Sequence, residues 1–340
     1  MRMSQRRFRL SAALAIAFVL SLAPQAGAVQ KEKKKKDEAP PQGKPVLWRD
    51  PGDISALNLL DGPGGAESRP DLSRVTFLKE EKGGYSKKFR VRDAAGREWV
   101  AKLGKEAQPE TAAVRLVWAA GYVTEINYLA PCVAIEGAPN PGKDYERCQD
   151  GGFANVRFEA RPENVKRHDA WRWETNPFAG TRELQGLKVL MALIENWDLK
   201  DDNNKVLQVS GAGGPELHYI VSDLGATFGK TGGQGGPIAR IRQVKGSRNE
   251  PADYAADKFL KGVEGGNVSL DYEGKNSAMM RGISAADAAW LGGLLSRLSD
   301  QQIQDAFRAA NYPPEDVQTL ATAVRKRIDE LVALGGGASR

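Results

Sequence analysis

The chain has 340 residues, of which 41% are hydrophobic and 27% charged, with two cysteines, two histidines and a formal net charge of +6. Four of its 49 basic residues, Arg2, Arg6, Arg7 and Arg9, lie in the first 28 positions, which hold no acid, and this leaves 45 bases against 43 acids in the rest. A near-neutral remainder with no basic and aromatic stripe excludes nucleic-acid binding, and His168 and His218 lie too far apart in sequence for a metal pair or a histidine triad.

The four arginines are followed by an apolar run from Leu10 to Leu22 and by Ala26-Gly27-Ala28. That is the layout of a signal peptide over residues 1–28, too short to span a membrane, and it implies a secreted or periplasmic protein with no transmembrane segment in the mature chain. Residues 29–46 carry Lys33 to Lys36, Asp37, Glu38, Pro40 and Pro41, a composition that predicts a charged, disordered linker. About 290 residues remain, enough for one two-lobed domain. Cys132 and Cys148 bracket a loop rich in Gly, Pro and Asn; in an exported chain they suggest one disulfide.

Alternation predicts three antiparallel strands, Val75 to Glu80, Lys88 to Arg92 and Glu98 to Leu103, around turns at 82–86 and 93–96. Gln108-Pro109-Glu110 starts a helix that Gly121 stops. Residues 122–130 and 154–160 read as further strands, and Arg161-Pro162-Glu163-Asn164 as a connection to the second half. There, Leu187, Leu190, Met191 and Ile194 have helical spacing. They lead into Asn196-Trp197-Asp198-Leu199-Lys200-Asp201-Asp202-Asn203-Asn204, whose Asp and Asn content by itself suits a polar turn. Two short strands follow, Lys205 to Val209 and Leu217 to Ser222, and then Asp223-Leu224-Gly225.

Asp198-Leu199-Lys200 with Asn203, then Asp223-Leu224-Gly225, resembles the catalytic loop and metal-binding motif of the protein-kinase-like superfamily. The resemblance covers residues 70–230 and is closer to atypical branches, such as HipA-like, phosphatidylinositol and secretory-pathway kinases. It implies an α+β, two-lobed fold, with a small antiparallel-sheet N-lobe carrying one helix over residues 47–160 and a larger, mainly helical C-lobe over 161–335. It further implies that Asp198 orients or deprotonates an acceptor hydroxyl, Lys200 neutralises the moving phosphoryl group, and Asn203 and Asp223 bind Mg²⁺ or Mn²⁺. Lys102, in Val100-Ala101-Lys102, falls where such enzymes contact the α and β phosphates of ATP or another nucleotide. Glu110 is the expected ion-pair partner of Lys102, with Glu106 and Glu125 as alternatives.

Three departures accompany the resemblance. The first turn, Gly83-Gly84-Tyr85-Ser86, lacks the Gly-x-Gly-x-x-Gly pattern; Glu110 is only eight positions from Lys102; and no Ala-Pro-Glu closes the segment after Gly225. That segment is Gly-rich and holds Arg240, Arg242, Lys245 and Arg248, which suits either a basic substrate segment or a solvated loop. Beyond it, Ser284 with Asp287, Ser299 with Gln302, and Pro313-Pro314-Glu315 mark helix starts. The expected function is transfer of a nucleotide γ-phosphate to an unknown protein, lipid or small-molecule acceptor. The competing expectation is a catalytically idle kinase-fold binding or scaffold protein outside the cytoplasm.

Overall fold

A computed structural model describes residues 40–83, 86–142, 145–231 and 246–336. The expected signal peptide, most of the expected linker, and Arg240, Arg242 and Lys245 lie outside the described residues.

The first structural layer is an antiparallel sheet of β2 (Thr76–Glu81), β3 (Lys88–Arg92), β4 (Glu98–Lys102), β5 (Asn127–Val133) and β6 (Phe153–Ala160), in the order β2-β3-β4-β6-β5. The two-residue period sorts its side chains onto two unlike faces. Phe89, Val91, Trp99, Ala101, Val156 and Phe158 share a buried apolar cluster, which Val75 and Ile135 help to cover. The opposite face carries Lys88, Arg90, Glu98, Lys102, Arg157 and Glu159, with Lys102 directly opposite Arg157 and Val100 opposite Glu159. Helix α1 (Ala107–Ala119) packs along β5 and β6. Its Arg115, fully buried, donates to Asn127 Oδ1 at 2.9 Å and to the Asn127 carbonyl at 2.8 Å.

A disulfide joins Cys132 of β5 to Cys148, as the cysteine count suggested. A second sheet has the order β1-β9-β8-β7, built from β1 (Lys44–Val46), β7 (Val165–Arg167), β8 (Asn204–Val209) and β9 (Glu216–Val221). The sequence predicts only the β8–β9 hairpin of this sheet. One edge, β7, follows the connection at 161–164, and the other, β1, lies in the stretch read as linker; Lys44 to Val46 is therefore a correction to the disordered linker over 29–46. These three residues pair in parallel with Glu216 to His218, so the backbone of β9 orders them despite their polar surroundings.

The larger half is mainly helical. Helix α2 (Arg182–Leu193) begins at Thr181, whose hydroxyl accepts from Leu184 N, and ends just before the acidic loop. After the short α3 (Pro251–Ala256) comes the hairpin of β10 (Leu260–Glu264) and β11 (Asn267–Leu270), which the sequence reading did not predict. Helices α4 (Ala285–Leu295), α5 (Asp300–Arg308) and α6 (Pro314–Gly336) complete the core. Ser284 caps α4, and Ser299 with Gln302 forms a full capping box on α5, as their spacing predicts. Leu187, Leu190, Leu291, Leu298, Ile303, Phe307, Leu320, Val324, Ile328 and Leu331 are all buried in one apolar cluster. Among the described residues no helix is long and apolar enough to cross a membrane.

Candidate active site

Lys102 ends β4 and points from the charged face of the first sheet into the space beneath it. Its ammonium lies 2.8 Å from Glu110, 3.0 Å from Glu106 and 3.4 Å from Asp223. The side chains of Lys102 and Glu110 are 4% and 1% exposed, whereas that of Asp223 keeps 44%. Burial acts against the Lys102 charge, but the three carboxylates outweigh it and hold its pKa well above the ordinary lysine value. Burial pushes Glu110 up to about 7, against the pull of Arg157 and Lys102. For Asp223 burial is outweighed by Lys102 and by the Gly225 N–H, so its carboxyl sits below the usual range. Asp223 is therefore the member of the group that is both open to solvent and held ionised.

Glu110 is thus brought to Lys102, as expected, and so is Glu106, its first alternative. Glu125 is not; its carboxylate accepts from Arg167 and from Ser222 Oγ at 3.0 Å. Glu106 has further partners: Ser86 of the β2–β3 turn donates to it at 2.6 Å, and Arg248 pairs with it while lying over the Trp197 ring.

The acidic loop meets this group through the β8–β9 hairpin. The Asn203 carbonyl accepts from Ser222 N at 2.8 Å and from Asp223 N at 3.1 Å, so the two motifs are stapled backbone to backbone. The Asn203 amide donates to the Asp198 carbonyl at 2.6 Å and to Asp198 Oδ2 at 3.2 Å. Lys200, half exposed, lies 2.8 Å from Asp198 Oδ1. With its NH₂ group spent on Asp198, Asn203 keeps its side-chain oxygen for another partner.

Two hard oxygen donors, the Asp223 carboxylate and the Asn203 amide oxygen, suit a divalent cation that completes its shell with phosphate oxygens and water. Among the described residues no three His, Cys, Asp or Glu side chains form a metal cage, so an ion here would depend on such outside ligands.

Sequence reading missed the buried ion-pair series behind Lys102. Arg157 lies 3.1 Å from Glu110 and 2.7 Å from Glu159. Glu159 also takes Arg161 and, at 3.3 Å, Arg167. The signal was present as alternating Arg157, Glu159 and Arg161 in a strand, but alternation alone does not say which face is buried.

An antiparallel sheet with one helix supplying a Lys–Glu pair, above a helix, an Asp-x-Lys-x-x-Asn loop, a hairpin and Asp-x-Gly, is the arrangement that the resemblance in sequence implied. No protein-family model and no curated protein matches the chain by sequence. Among solved structures, the Helicobacter pylori proinflammatory kinase CtkA overlays with a TM-score of 0.46 at 12% identity, over 78% of this chain and 98% of that one. The Golgi casein kinase with Mn/ADP bound gives 0.40 at 9% identity, over 78% and 73%. Hydra Fam20 with sugar gives 0.38 at 11%, over 79% and 86%. Overlaps this partial leave the chemistry to be read from the chain's own side chains.

Proposed function

We propose that this chain is an exported phosphotransferase that moves the terminal phosphoryl group of a nucleoside triphosphate to a hydroxyl of a protein, lipid or small molecule. The observation that carries the reading is the meeting of Lys102 and Asp223 at 3.4 Å, from positions 121 residues apart, beside the Asp198–Asn203 pair. A buried cation next to a half-open carboxylate suits a phosphate chain that arrives with a divalent ion. Lys102 would hold the donor phosphates, with Glu110 fixing its position. Asn203 and Asp223 would hold Mg²⁺ or Mn²⁺, which when bound offsets charge on the phosphates.

Asp198 is given the acceptor side. An acceptor oxygen bonds to the terminal phosphorus as the terminal P–O–P anhydride breaks; the hydroxyl proton passes to Asp198, and the shortened phosphate chain leaves. Lys200 lies beside Asp198 and is placed to offset charge on the group in transit. The export part of the reading is supported by the Cys132–Cys148 disulfide and the apolar run at 10–22.

Thermal-shift titration with ATP and Mg²⁺, run beside an assay for phosphate release or transfer, tests the assignment. Asp223→Ala should remove the metal-dependent part of binding. Asp198→Ala should bind nearly as the parent does yet lose turnover by about 10²- to 10⁴-fold. Transfer that survives Asp198→Ala overturns the role given to that residue, and a well-folded parent that binds no triphosphate favours a binding or scaffold protein.

A further inference from the structure

A cavity of about 770 Å³ opens beside the connection at 161–164, a size that accepts a nucleoside. Tyr122, Ile126, Leu207 and Val209 give it apolar walls, which suit the faces of a flat ring system. Arg167, also on its wall, donates at 3.0 Å to Ser222 Oγ, one residue before Asp223, so the cavity abuts the Lys102–Asp223 group. Which ring system fits is decided by the polar groups that meet its edge.

The backbone of the connection offers such an edge few donors. The Ala160 N–H is bonded to the Ile126 carbonyl at 2.9 Å, that of Arg161 to the Glu98 carbonyl at 3.2 Å and that of Val165 to the Pro162 carbonyl at 3.2 Å, while Pro162 has none. Glu125, the buried carboxylate of the wall, is engaged with Arg167 and Ser222 Oγ. Side-chain donors remain. Arg161 lines the cavity with its side chain 18% exposed, and among the described residues only its Nη1 is engaged, with Glu159 and, at 3.1 Å, with the Ala160 carbonyl. Its Nε and Nη2 therefore keep an edge of two parallel N–H groups. Guanine presents two acceptors side by side, O6 and N7, which a guanidinium edge meets with two hydrogen bonds; adenine places an amino donor where guanine has O6. The N1–H and 2-amino group of guanine need an acceptor in turn. Thr124, another wall residue, has a buried Oγ1 with no hydrogen-bond partner among the described residues.

We propose that the cavity takes the nucleoside of the phosphoryl donor and that Arg161 selects guanine over adenine, so that the donor is a guanosine triphosphate. The proposal rests on the phosphotransfer reading above. Transfer from this donor breaks the same terminal P–O–P anhydride, with the acceptor proton passing to Asp198 and the nucleoside diphosphate leaving, so no further reactant is required.

Calorimetric titration of the mature, disulfide-bonded protein with GTP, ITP, ATP and inorganic tripolyphosphate, each with Mg²⁺ at one ionic strength, tests it. GTP should bind about tenfold or more tightly than ATP, and ITP, which keeps O6 and N7 but lacks the 2-amino group, should also bind more tightly than ATP. A smaller preference for GTP, or a preference for ATP, overturns this inference and leaves phosphotransfer standing. Failure of all four compounds to bind overturns both. Arg161→Lys keeps a cation beside Glu159 but loses the planar fork; it should bring GTP down to the affinity of ATP and leave ATP binding as in the parent. A preference for GTP that survives this change shows that Arg161 does not read the base and defeats the proposal.

Discussion

Lys102 is the residue whose charge three carboxylates share, so replacing it does more than remove a ligand contact. Lys102→Met keeps most of the side-chain volume but leaves Glu106 and Glu110 buried with one cation fewer. It should cost about 3 kcal/mol of stability, read as a lowered midpoint in urea denaturation. A second buried carboxylate, Glu195, responds to pH. It is 1% exposed, and Arg327 lies 2.9 Å away. That guanidinium also donates to the Leu193 and Tyr254 carbonyls, at 2.8 and 2.9 Å. Burial therefore prevails and pushes Glu195 up to about 8. The folded state holds this proton more tightly than the unfolded chain, so its contribution is complete below the ordinary glutamate value of 4.5 and is lost as pH rises through about 8. Glu195→Gln should flatten the fall in melting temperature between those two values; an unchanged slope would mean that Arg327 keeps the carboxylate ionised.

The turn after β9 and the approach to α1 meet at Gly225, where contact is too close for a side chain. A Cβ there would sit 2.6 Å from Glu106 Cβ and 3.0 Å from its Cγ. Gly225→Ala should push Glu106 off Lys102, cost about 1–3 kcal/mol in denaturation and weaken binding of Mg²⁺ with ATP. Element by element, the order of β2, β3, β4, α1, β6, α2, β8 and β9 was legible because each has its own periodicity and end signals. Lys44 to Val46 and Val165 to Arg167 were not, since three-residue edge strands have no period to detect and exist only because β9 and β8 offer unpaired backbone groups. The β10–β11 hairpin did carry a sign, Gly265-Gly266 with φ of +56° and +80° between two short strands, which the surrounding polar sequence obscured.

At the scale of the molecule, the disulfide links stability to the compartment in which the chain is made. Cys132 and Cys148 are 16 positions apart, and closing a loop of that length restricts the unfolded chain by about 3 kcal/mol. Exported protein, unfolded without reductant, should show no titratable thiol, and reduction should lower its melting temperature. Two free thiols would refute the bridge and weaken the case for export. The same unfolding curves show whether Lys102→Met and Gly225→Ala act on stability as well as on binding.

The sequence by itself named the candidate site residues, because Asp198, Lys200, Asn203, Asp223 and Lys102 sit in short motifs whose internal spacing is set by local backbone geometry. It also narrowed the partner of Lys102 to Glu110, Glu106 and Glu125. Only the tertiary structure decided among these three: α1 carries Glu106 and Glu110 to the lysine, while Glu125, beyond the helix, turns to Arg167. It alone decided, too, that Arg167 would reach from one sheet to the other beside Asp223. Contacts between residues far apart in the chain depend on how the two sheets stack, and no local pattern in either strand encodes that distance.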